Sequence, residues 1–177
     1  MHGVVDLETL GVGPKAVIAS IGAVAFDKER GIYSEFYVPV SIHDCVKQGM
    51  IMDTSTVQWW IGQASKDGRA AGVFKENALP LLEALTQFSK WWREAQCKKF
   101  WGNGADFDIV IMRSAYAAID ADPPFGPYSS RCYRTIKSEF PKIEMERVGV
   151  HHNALDDAKY QALHLLEYMK KHNFGEG

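Results

Sequence analysis

The sequence predicts an α/β fold, with an antiparallel meander of strands first and helices interleaved with short strands after it. Three observations lead to this prediction. Apolar runs of strand length dominate the start of the chain, two later segments carry apolar residues at helical spacing, and a short apolar run lies between those segments. No repeat or linker-like stretch interrupts the 177 residues, so the sequence predicts a single domain over residues 1–177.

Three strands make up the predicted meander. The valines just before Asp6 indicate a buried first strand, and residues 16–26, rich in Val, Ile and Ala, indicate a second. A turn over residues 27–31 leads to a third strand over residues 33–38. Pro39 would end that strand, because proline cannot donate to the hydrogen-bond ladder.

Helices dominate the remainder of the chain. Apolar residues recur at three- and four-residue intervals after Pro80, which a helix tolerates in its first turn. Asn153 suits the N-cap of the last helix, because its side chain can accept backbone N–H bonds from the first turn. The predicted elements are a short helix over residues 54–63, an amphipathic helix over about 77–95, a buried strand over 99–102, a helix over 108–119, a loop over 122–127 and a final helix from 153 to about 171.

Composition and charge narrow the class of protein. Hydrophobic residues make up 46% of the chain, no window reaches the length of a membrane span, and no signal-like segment precedes the first strand. The three cysteines show neither metal-site spacing nor a disulfide pattern, so we expect a cytoplasmic protein without membrane association. The net charge of −2 argues against a globally basic nucleic-acid-binding surface but permits a local basic groove.

Two acidic residues one apart, Asp6 and Glu8, are the most informative local feature. Residues two apart in a strand share a face, so both carboxylates project into the same space. Two anions beside an apolar strand require a compensating cation, and oxygen ligands suit Mg²⁺ or Mn²⁺. The alternative is a surface turn that carries two solvated acids, and this pair alone leaves both interpretations open.

Two further segments carry residues suited to chemistry. Asp108 follows a buried strand and a glycine-containing turn at the start of a helix, where ligands bind in α/β folds. Near the C-terminus, His151 and His152 precede a helix whose first turns carry Asp156 and Asp157, and histidine can exchange a proton near neutral pH. Taken singly, each segment is better explained by helix capping and compensation of the helix dipole than by a functional site.

The three segments together resemble a known family. Asp-x-Glu in the first strand, Asn-x-x-x-Phe-Asp at a strand-to-helix junction and His-x-Ala-x-x-Asp near the C-terminus occur in the order found in the DEDD superfamily of 3′-5′ exonucleases, in its histidine-bearing DEDDh branch. That branch includes ribonuclease T, and the motifs look most like the small exonuclease VIII-like and phage-type members. The resemblance implies a ribonuclease H-like fold, with a mixed central sheet flanked by helices.

The resemblance also implies the site residues. The family places its second-motif ligand directly after the phenylalanine, which selects Asp108 rather than Asp106. It places an alanine two residues after the histidine, and Ala154 therefore selects His152 rather than His151. The implied metal ligands are Asp6, Glu8, Asp108 and Asp157, with His152 as the general base.

Such a site implies hydrolysis of the terminal phosphodiester of DNA or RNA with two divalent cations, Mg²⁺ or Mn²⁺. Nucleoside 5′-monophosphates would leave from a free 3′ end, on a single strand or an overhang. The alternative is a non-catalytic nucleic-acid-binding module on the same fold. The sequence does not specify the oligomeric state, although a homodimer is an option because dimers occur in this part of the family.

Five residues are candidates for substrate binding. Thr9 and Leu10 follow Glu8, where related enzymes contact the terminal nucleotide. Trp59 and Trp60 would offer a stacking platform, and we expect one of the two rings to be buried because adjacent helical residues do not share a face. Arg134 matches an Arg-Thr of the family pattern, and either a phosphate contact or a structural role is open to it.

Overall fold

A computed structural model describes residues 1–67, 77–147 and 149–175, without the side chains of residues 65–67. The described residues form five strands and six helices. The strands are β1 His2–Thr9, β2 Ile18–Asp27, β3 Gly31–Pro39, β4 Lys99–Gly102 and β5 Ser130–Cys132. The helices are α1 Ile42–Lys47, α2 Thr54–Asp67, α3 Leu81–Glu94, α4 Asp108–Ala118, α5 Tyr133–Glu139 and α6 Ala154–His172.

The five strands form one mixed sheet in the order β3-β2-β1-β4-β5. β1, β2 and β3 pair antiparallel, which confirms the predicted meander. β4 pairs parallel with the other edge of β1, β5 pairs parallel with β4, and each is reached through helical connections. The carboxyl end of β1 therefore lies at the centre of the sheet, beside the loop that follows β4.

Side chains of β1 alternate between two cores, one on each face of the sheet. Val5 and Leu7 pack with α3 and α4 in the larger core, whereas Val4 packs with α6 in the smaller one. Because side chains two apart share a face, Asp6 and Glu8 follow Val4 onto the α6 side. This alternation directs both carboxylates toward the N-terminal half of α6.

A close approach between β2 and α6 fixes where that helix begins. Gly22 is the register partner of Asp6, and a Cβ atom built on Gly22 would lie only 2.1 Å from the carbonyl carbon of Ala154. Only glycine permits this spacing, because real Cβ atoms do not approach backbone so closely. The first turn of α6 is consequently held directly over the carboxyl end of β1.

The structure differs from the predicted boundaries at several elements. The amphipathic helix begins at Leu81 rather than near residue 77, because Leu79 instead pairs with strand-like backbone, donating its N–H to Pro39 O over 3.0 Å. The helix predicted over 54–63 extends to Asp67. The sequence patterns did not predict α1, β5 and α5, all of which are short. The last helix is close to prediction, with Asn153 capping the N–H groups of Leu155 and Asp156.

Aromatic residues of α3 fill the larger core. Phe88, Trp91 and Trp92 are buried, and the Trp92 ring packs against Phe100 of β4 with centroids 5.6 Å apart. Within the described part of the chain, no helix combines the length and apolar character needed to cross a membrane.

Candidate active site

Acidic residues from three elements meet at the carboxyl end of β1. Asp6 and Glu8 come from β1, Asp108 is the first residue of α4, and Asp157 lies in the first turn of α6. Oxygen atoms of Asp6, Glu8 and Asp157 lie within 4.8 Å of one another, close enough to share one cation. The structure thus brings together four carboxylates from three segments that are far apart in the sequence.

Asp108 is held by the backbone around it. Its side chain is only 3% exposed, Oδ1 accepts a hydrogen bond from Leu7 N (3.2 Å), and Oδ2 accepts one from Asn103 N (3.1 Å). A Cβ atom on Gly102 would lie 2.9 Å from Oδ2, so the glycine that ends β4 makes room for the carboxylate. These contacts tie Asp108 to both β1 and the turn after β4.

The carboxylates repel one another in a buried setting. Burial, followed by the charges of Asp108 and Glu8, raises the pKa of Asp6 well above its usual range. Burial and then the Asp108 charge raise the pKa of Glu8 to about 7. Burial also raises the pKa of Asp108. An excess of buried negative charge is costly unless a cation compensates it, and such raised pKa values are typical of functional sites.

The donor set fits hard divalent cations. All four side chains offer oxygen atoms, and oxygen ligands bind hard cations such as Mg²⁺ and Mn²⁺ in preference to softer metal ions. Among the described residues, Glu8 Oε1 is buried and has no hydrogen-bond partner, so an oxygen ligand is available at the centre of the cluster. The residues present can therefore hold divalent metal.

Two residues of this cluster were missed by the sequence reasoning. Gln161 donates a hydrogen bond from Nε2 to Oδ1 of Asp6 (2.7 Å), and Arg147 forms an ion pair with Asp157. The Arg147 charge also lowers the pKa of Asp6 and Glu8, partly offsetting the repulsion. Gln161 lies four residues after Asp157 on the same helical face, and this spacing could have indicated it. Nothing in the local sequence marks Arg147.

The turn before α6 carries both candidate histidines. His152 has a left-handed backbone (φ +62°) and donates its N–H to Asp157 Oδ2 over 3.2 Å. Its ring meets Trp59 edge-on with centroids 4.9 Å apart and lies 4.0 Å from the ring of His151. Asp156, the other aspartate considered, instead accepts the N–H of Val150 (2.8 Å) and so caps the preceding loop.

The two tryptophans of α2 differ in burial, as expected from their adjacency. Trp60 is 3% exposed, and its Nε1 donates to Thr9 O over 2.9 Å, whereas Trp59 is 42% exposed. Thr9 and Leu10 are themselves buried at the end of β1. Trp60 therefore fixes α2 against the end of β1, and Trp59 presents an accessible ring beside His152.

Arg134 supports the turn that leads into α4. Its Nη2 donates to Asn103 O over 2.6 Å, in the loop whose backbone also holds Asp108. Of the two roles left open by the sequence, this contact supports a structural one. The guanidinium also lies near enough to Asp108 for its charge to lower the pKa of that carboxyl.

Comparison with known proteins identifies the family. A model of the Rv2179c-like 3′-5′ exoribonuclease domain matches residues 1–169 of the chain. The chain belongs to this family. Membership makes it a metal-dependent 3′-5′ exonuclease and hydrolase, which confirms the activity predicted from the motifs. The alternative of a non-catalytic module is not retained. A search of the curated proteins found no match.

Two solved structures share the fold. One is the nuclease domain of 3′hExo, a DEDDh family member, bound to rAMP, at 15% identity and a TM-score of 0.65, covering 96% of this chain and 91% of that one. The other is Exonuclease X in complex with 5′ overhanging duplex DNA, at 14% identity and a TM-score of 0.58, covering 99% of this chain and 95% of that one. These likenesses confirm the ribonuclease H-like fold.

Proposed function

We propose that the protein is an exoribonuclease that removes nucleoside 5′-monophosphates from the 3′ end of RNA with the help of two divalent cations. The convergence of Asp6, Glu8, Asp108 and Asp157 carries the proposal, because four neighbouring carboxylates can hold two ions and leave positions open for water and phosphate. The description of the family favours RNA. DNA is the second candidate, since one structural neighbour binds it.

Metal ions and side chains have separate roles in the hydrolysis. Bound Mg²⁺ or Mn²⁺ would acidify the attacking water and stabilise charge on the leaving 3′ oxygen. His152, next to Asp157, takes the proton from that water, a contribution worth roughly 10²–10⁴-fold in rate. Asp108 keeps its orientation through the two backbone N–H groups that it accepts.

Other residues bind the substrate strand. The accessible ring of Trp59 stacks on a base, and Trp60, Thr9 and Leu10 form the floor beneath the terminal nucleotide. Arg134 contributes positive charge near the scissile phosphate while it supports the turn at Asn103.

The enzyme we propose acts in the cytoplasm, either as a monomer or as a homodimer. One catalytic domain spans residues 1–177. The described cysteines, Cys45, Cys97 and Cys132, are all unbridged, as is usual in a reducing compartment.

The test uses RNA and DNA strands of one sequence, labelled at either end and incubated with Mg²⁺, Mn²⁺ or EDTA. We expect metal-dependent shortening of RNA from its 3′ end, with nucleoside 5′-monophosphates as products. Asp108→Asn should abolish it, and Asp106→Asn, which changes an exposed acid two residues away, should not. Shortening of DNA alone would overturn the choice of RNA, and equal loss in both variants would overturn the assignment of Asp108.

A further inference from the structure

A second group of metal-ligating side chains lies beside the carboxylates. His151, His152 and Asp157 each place a ligand atom within 4.8 Å of the other two. This trio shares Asp157 with the carboxylate cluster but otherwise consists of imidazoles. Its composition therefore favours a different class of metal ion.

Backbone geometry brings the two imidazoles together. Consecutive side chains of an extended segment point in opposite directions, but the left-handed φ of His152 (+62°) turns the chain here. The two ring centroids consequently lie 4.0 Å apart. The hydrogen bond from His152 N to Asp157 Oδ2 holds this turn against the first turn of α6.

The ligand chemistry separates the two sites. Imidazole nitrogen suits Zn²⁺, Ni²⁺ and Cu²⁺, whereas a set of carboxylates suits Mg²⁺ and Mn²⁺. Zinc bonds of about 2.0–2.1 Å require ligand atoms roughly 3.3 Å apart in a tetrahedral site, so modest side-chain rotation from the present arrangement suffices. His151 is exposed, which gives an ion access from solvent and leaves room for a water as fourth ligand.

Asp157 can take part although both its oxygens already make contacts. Oδ1 is paired with Arg147 and Oδ2 accepts the N–H of His152. Each carboxylate oxygen has two lone pairs, so one remains on each for a metal.

We propose that His151, His152 and Asp157 form an inhibitory site for Zn²⁺ and related transition-metal ions. An ion bound there occupies the imidazole that serves as general base and a carboxylate needed by the catalytic cations. The inhibitory effect rests on the proposed role of His152, whereas binding of the ion does not. His151 acts only in this regulation and not in the hydrolysis itself.

Binding is tested with Co²⁺ as a visible probe for zinc-type sites. The protein carries Glu8→Gln, which weakens the carboxylate site and leaves the trio intact. We expect one Co²⁺ with the absorption of a low-coordinate nitrogen-ligated ion, displaced by Zn²⁺. His151→Ala should weaken Co²⁺ binding more than about tenfold, and His43→Ala, which removes an exposed histidine of α1, should not change it. Equal Co²⁺ affinity in both variants would overturn the site.

Inhibition is tested at saturating Mg²⁺ on protein in which Glu8 is intact. We expect Zn²⁺ to inhibit RNA hydrolysis by the wild type and by His43→Ala at the same concentration. His151→Ala should keep its activity without zinc and should require at least about tenfold more Zn²⁺ for inhibition. If His151→Ala is inhibited at the wild-type zinc concentration, zinc acts at the carboxylates and the proposal fails. If Co²⁺ binding depends on His151 but RNA is not hydrolysed, the metal site stands and only the proposed choice of RNA as substrate falls.

Discussion

The side-chain amide of Gln161 donates a hydrogen bond to Oδ1 of Asp6 over 2.7 Å, joining residues 155 positions apart in the sequence. Gln161 is 4% exposed, and among the described residues its Oε1 has no partner. Oδ1 of Asp6 is the acceptor in this contact, so the amide presents its NH₂ group to Asp6. This contact orients Asp6, which offers an oxygen atom to the carboxylate cluster.

Replacing Gln161 with leucine should weaken metal binding. The loss of a hydrogen bond that orients a ligand typically costs about 10–100-fold in metal affinity. Calorimetric titration of the metal-free protein with Mn²⁺ measures this directly. Gln87→Leu is the matched control, because Gln87 of α3 is exposed and donates its side-chain hydrogen bond to Glu83 in the same helix. A Gln161→Leu protein with the wild-type Mn²⁺ affinity would show that the amide does not position Asp6.

The metal-free protein should lose stability as the pH rises from about 4.5 to about 7. The pKa of Glu8 is about 7 when folded and 4.5 ordinarily, so the folded state holds a proton in this window that the unfolded state releases. Each pKa unit of difference between the folded and unfolded states corresponds to about 1.4 kcal/mol of unfolding free energy. The raised pKa values of Asp6 and Asp108 also lower the stability as the pH rises. Urea unfolding in EDTA at several pH values measures the trend.

Carboxyls whose pKa is lowered by folding make the protein more stable as the pH rises, so the effect of Glu8 must be measured against a reference variant. Hydrogen bonds from Arg30 help lower the pKa of Asp27, whose contribution is lost as the pH falls. The difference between the wild type and Glu8→Gln isolates Glu8. That difference should change by a few kcal/mol between pH 4.5 and 7, and a constant difference would contradict the prediction.

Glu8→Gln should stabilise the metal-free protein at pH 8 while it abolishes activity. The substitution keeps the shape and removes a buried charge that Asp108 repels, which we expect to raise the unfolding free energy by about 1–3 kcal/mol. It also removes a metal ligand. Thermal melting in EDTA measures the gain in stability, and melting in Mn²⁺ measures the loss of stabilisation by the metal. Glu139→Gln, on the exposed face of α5, serves as the control. A lower melting temperature of Glu8→Gln in EDTA would contradict this.

Local sequence patterns predicted part of this site for physical reasons. The two-residue period of a strand places Asp6 and Glu8 on one face, and Asn153 fixes the start of α6, so these features follow from neighbours along the chain. The contacts of Gln161 and Arg147 form only when α6 and the preceding loop reach β1. Short elements such as β5 have too few residues to show a period of apolar residues. Whether such a segment forms a strand depends on its pairing with a neighbouring strand, here β4.

The two tryptophans of α2 should separate binding from stability. Trp59→Ala should weaken binding of single-stranded RNA by about 1–3 kcal/mol with little change in melting temperature, because its exposed ring is available for stacking. Trp60→Ala should lower the unfolding free energy by about 3–5 kcal/mol, because the ring is buried and its Nε1 holds Thr9 O. Fluorescence anisotropy of labelled RNA in Ca²⁺ and urea unfolding measure the two effects. Unchanged RNA affinity in Trp59→Ala would remove it from the substrate site.

Gly22→Ala should disrupt the site without touching any ligand. The added Cβ would meet Ala154 C at 2.1 Å and Leu155 N at 2.2 Å, and these are backbone atoms that cannot rotate away. The start of α6 must therefore move from the sheet, taking Asp157 away from Asp6. We expect a loss of at least about 3 kcal/mol in unfolding free energy and, in any folded fraction, weaker Mn²⁺ binding.

Gly62→Ala is the matched control for this substitution. Nothing lies within 4 Å of a Cβ at Gly62, which sits inside α2, so alanine should stabilise the helix by about 0.5–1 kcal/mol. Urea unfolding followed by calorimetric titration with Mn²⁺ ranks the two variants. If Gly22→Ala bound Mn²⁺ as tightly as Gly62→Ala, the position of α6 would not set the metal site, because Asp157 would then reach Asp6 from a displaced helix.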